Sequence, residues 1–263
     1  MKKITFFLIV ILLFVFMVSC GENIAPQSNR LEELKHQYDP IGVGHNMALD
    51  ELYKLYVLQQ TSQNINLSYS DCIEIMEQHL NFSNVRHKNL AADIASLISN
   101  ERIFAKVCVN AEIIDVLSDS IEIMAKYPQI FDSISVILDA AISNEEKTQK
   151  LENMYLYVDS KINDVHDKEA IMNGIATTIH SMAYWNENID NWRETLTGGM
   201  AKPAIGIIGA IGIIDGAGAV IGTLEGIRDT YKGQEGRLEI IAGRAIGEAA
   251  KTSAYAALAI IMI

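Results

Sequence analysis

Residues 203–226 read PAIGIIGAIGIIDGAGAVIGTLEG. Apart from Asp215 and Thr223, the run from Pro203 to Leu224 is apolar. Gly212 and Gly216 stand four apart, and Gly218, Gly222 and Gly226 form a second row at the same spacing. On a helix this spacing stacks small residues on one face and leaves a flat groove that another backbone can approach closely. After a turn at Lys232-Gly233-Gln234-Glu235-Gly236, the last segment carries Gly243 and Gly247, then Ala249, Ser253 and Ala257 four apart. The pattern predicts that residues 201–263 form a helical hairpin packed glycine face to alanine face. Each glycine in a helix interior costs about 1 kcal/mol relative to alanine. Such a hairpin therefore needs burial, in lipid or in protein.

Two features weigh on which. The longest uninterrupted apolar run, Pro203–Ile214, has 12 residues, which suits a buried core helix better than a membrane span. Asp215 follows it, and a carboxylate at mid-bilayer costs roughly 2.5–3.5 kcal/mol even on the lenient insertion scale.

Working back from the hairpin, 13 of the 17 glycines lie between Gly198 and Gly247, which puts a boundary at Thr197-Gly198-Gly199. Upstream, apolar residues recur with the 3.6-residue period of helices facing a core. Leu52, Leu55 and Tyr56 point inward from Met47–Leu58, and a further helix covers Asp71–Leu80. Two more stretches are Asn89–Ile98 and Ala111–Tyr127, the latter with Ile113, Ile114, Leu117, Ile121 and Met124 inward. Pro128 opens a helix with Ile130, Ile134, Ile137 and Ala141 inward, because a missing N–H does no harm at the first turn. Leu151, Tyr155, Val158 and Ile162 mark another, and Ile171, Ile175, Ile179 and Met182 the next. Nearer the start, Leu31–Tyr38 reads as a short helix stopped by Asp39-Pro40. With no sustained period-2 alternation, the fold class is all-α. It is a helical bundle or stacked helical hairpins followed by the glycine/alanine-rich hairpin. Stacking is raised by Asp71-Cys72-Ile73-Glu74-Ile75-Met76, echoed 48 residues later as Asp119-Ser120-Ile121-Glu122-Ile123-Met124. Helix starts that favour Asp, and cores that favour Ile and Met, produce the same echo without a repeat.

The N-terminus carries Lys2 and Lys3, a 13-residue apolar core from Phe6 to Val18, and Ser19-Cys20. That order of basic stretch, apolar core and small residue is a secretory signal, with a core shorter than a bilayer span. Met17-Val18-Ser19-Cys20 resembles the lipobox of bacterial lipoproteins, which signal peptidase II cuts before the cysteine. The resemblance implies lipidation of Cys20 and a membrane anchor, since two or more acyl chains anchor stably where one does not. Met17 stands where Leu is commoner. Gly21 after the cysteine favours the outer membrane, periplasmic face, in a cell with two membranes. The expected organisation is a signal peptide over 1–19, a polar tether over 20–30, an acidic helical domain over 31–197, and the hairpin over 198–263.

The formal charge of −12 is unevenly spread. Gly21–Gly199 carries a net −14, whereas Met200–Ile263 is neutral. An acidic body repels phosphate backbones, which excludes nucleic acid as an expected partner. Cys72 and Cys108 remain in the mature chain. In an oxidising compartment they can pair, and closing that 37-residue loop is worth roughly 3–4 kcal/mol. As buried thiols they need not pair.

Candidate polar sites are few. His45 and Asn46, with Asp50 and Glu51, lie at the expected start of the first long helix. Asp164, His166 and Asp167 are crowded where a helix start explains the acids. His79, His87 and His180 stand alone. Tyr184, Trp185 and Trp192, among Asn186, Asn188 and Asn191, read as a membrane-interface anchor, a carbohydrate platform, or packing where body meets tail. No HExxH, GxSxG, Walker or EF-hand motif is present, so no catalytic residue, metal site or cofactor is expected. The expected helix-packing residues are Gly212, Gly216, Gly218, Gly222, Gly226, Gly243 and Gly247.

The hairpin resembles the glycine zippers of membrane-inserting and pore-forming peptides and the glycine-rich tails of helical bacteriocins. The mature part as a whole resembles cell-envelope proteins with a zipper-like C-terminus. These likenesses imply a non-enzymatic envelope lipoprotein with a protein partner or self-association. The alternative they imply is a membrane-active effector that uses the hairpin.

Overall fold

The computed structural model describes residues 24–63, 66–80, 117, 121–198, 207–230 and 237–262. The leader, Cys20, Cys108, Asn89–Ile98, most of Ala111–Ser120 and the turn after Thr230 lie outside them. Among the described residues there are eight helices and no strand. They are α1 (Ile24–Gln63), α2 (Tyr69–Leu80), α3 (Glu122–Lys126), α4 (Pro128–Asp139), α5 (Asn144–Lys161), α6 (Val165–Thr197), α7 (Ile207–Thr230) and α8 (Arg237–Met262). The protein is an all-α bundle.

Local chemistry sets the helix starts. Ser68 and Asp71 cap α2 reciprocally: the Ser68 N–H donates to Asp71 Oδ2 at 2.8 Å, and the Asp71 N–H to Ser68 Oγ at 3.2 Å. Asp71 is thus a capping residue, which accounts for the first copy of the Asp-containing echo without invoking a repeat. Pro128 occupies the first turn of α4. Ser143 caps α5 by accepting from the Glu146 N–H at 3.1 Å. Asp164 caps α6, taking the N–H groups of His166 at 2.9 Å and Asp167 at 3.0 Å. Gly198 ends α6 with φ 63°, the left-handed conformation that glycine adopts without steric cost.

One expectation about the N-terminal part is corrected: Asp39-Pro40 does not stop a short helix. Residues 24–30 of the expected tether are helical and continuous with α1. Pro40 sits inside α1 on an exposed face, where water can reach the carbonyl that loses its donor. Packing outweighs the lost bond. A Cβ on Gly42 would lie 2.8 Å from the Ala176 carbonyl oxygen of α6, so α1 is pressed onto α6 immediately after the proline.

Helix α6 is the axis of the bundle. Ile171, Ile175, Ile179 and Met182 are buried as the spacing predicts, and so are Leu151, Tyr155, Val158 and Ile162 of α5 and its C-cap. On α4 the fourth inward residue is Leu138, not Ala141, which lies past the helix end and is exposed. Leu52 and Tyr56 of α1 are buried and Leu55 is half-buried. Rings fill one end. Trp192 meets Tyr56 edge-on with centroids 5.7 Å apart, and Trp185 and Trp192 are 5.2 Å apart. Both tryptophans are buried, so they pack the core and offer no face to a membrane or a sugar.

Helices α7 and α8 run antiparallel and close on each other through backbone. A Cβ on Gly218 would lie 2.8 Å from the Glu248 carbonyl oxygen; on Gly222, 2.9 Å from Ala245 Cα; on Gly226, 2.7 Å from Ile241 Cα. The other row, Gly212 and Gly216, faces Thr178 and Gly174 of α6. Gly243 differs from its expected role: it is exposed and has nothing within 4 Å, while Gly247 is buried. The composition break at Gly198 marks the end of α6, yet residues from Leu34 to Ile261 share one hydrophobic core.

Candidate functional site

A run as apolar as α7 has no solvent for a charge, so Asp215 must find partners in the protein. Three neighbouring helices supply its partners. Ser181 Oγ of α6 and Ser253 Oγ of α8 both donate to Asp215 Oδ2, the second at 2.7 Å. His45 Nε2 of α1 lies 3.3 Å from the same oxygen. Asp215, Ser181, Ser253 and His45 are each 0% exposed.

A second layer orients these groups. Trp185 Nε1 donates to Ser253 Oγ at 3.0 Å, which turns the serine hydroxyl hydrogen towards Asp215. Asn46 Nδ2 donates to the His180 carbonyl at 3.1 Å, so Asn46 Oδ1 faces His45 Nδ1 at 2.9 Å. That contact requires the proton on Nδ1. His45 is therefore fixed through Nδ1, with Nε2 lying against the carboxylate, far from a helix start.

Sequence reasoning grouped His45 with Asp50 and Glu51. The two acids are exposed instead, and Glu51 pairs with Lys54 at 2.7 Å. A residue five or six positions on points away from His45 in a continuous helix, and α1 is continuous there. His180 is not isolated: its Nε2 is 3.6 Å from Asp39 Oδ1, and its ring covers Gly42. Asp167 takes hydrogen bonds from Tyr127 Oη at 2.8 Å and from Lys126 Nζ. Cys72 is a buried free thiol whose titration burial pushes up to about 12, and Cys108, the partner the sequence offers it, lies outside the described residues. Among the described residues no group of three or more His, Cys, Asp or Glu could hold a metal ion.

No family model, curated protein or solved structure matches this chain. The functional reading therefore rests on geometry. The cluster has the residue types of acid–base and nucleophilic chemistry, but His45 lies against the carboxylate and not against a serine hydroxyl, and no substrate can reach it. The Thr178 hydroxyl, against Gly216 of α7, is likewise spent, its one hydrogen shared between the carbonyls of Gly174 at 2.9 Å and Gly212 at 3.1 Å. An accessible feature lies elsewhere among the described residues. An open groove of about 530 Å³ runs between α5 and α6, lined by Asn144, Glu145, Gln149, Asn186 and Glu187 among others.

Proposed function

We propose that the chain is a cell-envelope lipoprotein, held to a membrane through lipid on Cys20, whose acidic helical body is a protein-interaction module and not an enzyme. The observation that carries this reading is the sealing of the polar cluster: His45, Ser181, Asp215 and Ser253 have the side chains of a reaction centre and no exposure. Among the described residues, the body offers to solvent an amide- and carboxylate-lined groove, a surface for recognition. A photo-cross-linking residue at Asn186, placed in cells, then gives one discrete adduct that charge reversal at Glu145 and Glu187 abolishes. A uniform smear, or an adduct unaffected by charge reversal, contradicts the reading. Cys20→Ser moves the protein from the membrane fraction to the soluble fraction.

A second reading has one observation behind it. Ile208–Thr230, most of α7, is long and apolar enough to cross a membrane. Against a membrane-active effector stands the use of both glycine rows inside the bundle, where 72% of the most apolar window is buried. The full mature chain with Cys20→Ser should leave dye-loaded anionic vesicles intact. Rapid release at nanomolar protein would establish the second reading.

A further inference from the structure

Helix α1 turns an apolar face to solvent. Val43, Met47 and Leu58 are 45%, 64% and 63% exposed, and Pro40 is exposed beside them. At about 100° per residue these four side chains fall within an arc of about 60°, although they run from residue 40 to residue 58. Seven large apolar side chains are exposed among the described residues, and three of them share this arc. That alignment sets the stripe apart from the scattered apolar residues of any surface.

The other sides of α1 are taken. Gly42 is pressed onto α6, Gly44 lies against Ile246 of α8, and Arg30 and Lys35 pair with Asp159 and Glu152 of α5, each at 2.9 Å. The carboxylates beside the arc are compensated. Glu33 pairs with Arg30 at 3.1 Å and Glu51 with Lys54 at 2.7 Å, while the Tyr184 hydroxyl engages Asp50. Laying the arc on a lipid surface therefore brings no lone carboxylate to the headgroups.

What covers the face follows from where the chain continues. Cys20 stands four residues ahead of Ile24, so the link from an acylated cysteine to the start of α1 spans at most about 14 Å. Helix α1 has 40 residues and is locked against its neighbours, so this tether holds its free face close to the lipid. Contact between tethered partners is intramolecular, and a few apolar side chains then suffice to hold it. We infer that the face of α1 formed by Pro40, Val43, Met47 and Leu58 is a membrane-docking surface: the anchored protein lies with α1 along the bilayer interface. A helix in that position buries an apolar stripe shallowly and keeps its edges wet. The inference rests on the reading of Cys20 as lipidated.

The test uses the full lipidated chain, made in cells and reconstituted into phosphatidylcholine vesicles. An environment-sensitive fluorescent amino acid replaces Met47 or, as a control, Val136, a comparably exposed residue of α4. Brominated lipid should quench the probe at 47 several-fold more than the probe at 136. Val43→Glu/Leu58→Glu should abolish that difference while the chain stays with the vesicles. Equal quenching at the two positions overturns the inference. So does a probe at 47 that is blue-shifted yet unquenched, which assigns the face to a second copy of the chain. Mass spectrometry of the N-terminal peptide separates the two claims. A peptide without acyl chains refutes the lipoprotein reading and this inference with it, whereas acylated chains with equal quenching refute the inference alone.

Discussion

Around Trp185 and Trp192 the bundle is filled by large rings, whereas along α7 it is closed by bare backbone. In the first region Tyr53, Tyr56 and Tyr184 surround the two indoles, and the Trp192 N–H is satisfied by Tyr184 Oη at 3.1 Å. In the second, Gly216 carries no side chain to pack, and an added Cβ would sit 2.9 Å from the Gly174 carbonyl oxygen. Both regions belong to one core, and α6 serves each with a different stretch. The contrast is that one region is sensitive to atoms removed and the other to atoms added. Large-to-small changes leave cavities among the rings, while small-to-large changes push helices apart along α7.

The largest expected effect comes from adding bulk to the backbone seam. Gly222→Leu, whose Cβ would already lie 2.6 Å from the Arg244 carbonyl carbon, should prevent the hairpin from docking. Thermal unfolding of the purified variant should show no cooperative transition; a wild-type transition would break the comparison. Next comes the ring region. Trp192→Ala removes a side chain that is 1% exposed and should cost about 3–5 kcal/mol by urea titration. A cost under about 1 kcal/mol would mean that the rings are not the filling they are taken for.

The smallest effect lies on the surface between α1 and α5. The Arg30 guanidinium, 2.9 Å from Asp159, holds that carboxyl below its ordinary range, with Lys168 helping at 3.1 Å. A depressed carboxylate stabilises the fold above its unfolded value near pH 4, and the gain fades as pH falls through the folded value. Arg30→Ala should thus be less stable than wild type at pH 7, by about 1 kcal/mol or less for so exposed a pair. The gap should close at pH 2. A gap that widens with acid would assign the wrong sign to the pair.

Much of the all-α architecture is legible in the chain because single helices bury residues at fixed spacing. The glycine rows at 212–226 are visible for the same reason, as are the α5 and α6 stripes. Pro40 misleads because a local rule is outweighed by the contact of Gly42 with α6, which sequence spacing does not encode. The polar cluster is legible only by half. Asp215 in an apolar run announces that it needs partners, but Ser181 and Ser253 lie 34 and 38 residues away on helices full of other hydroxyls. His45 points to no acid in particular until α1 is laid across α6 and α8, which brings it to Asp215. Gly243 looks like its neighbours in sequence and differs from them only because nothing is packed over it.

That last difference gives the most direct test. Gly222 and Gly243 are both helix-interior glycines of the hairpin, so alanine brings each the same helix-forming gain of about 1 kcal/mol. Only at Gly222 does the new methyl meet backbone. The melting temperatures of Gly222→Ala and Gly243→Ala, measured side by side, should therefore move in opposite directions, down for the first and up for the second. If Gly222→Ala melts as high as Gly243→Ala, backbone contact does not close the seam, and the account of the core is wrong.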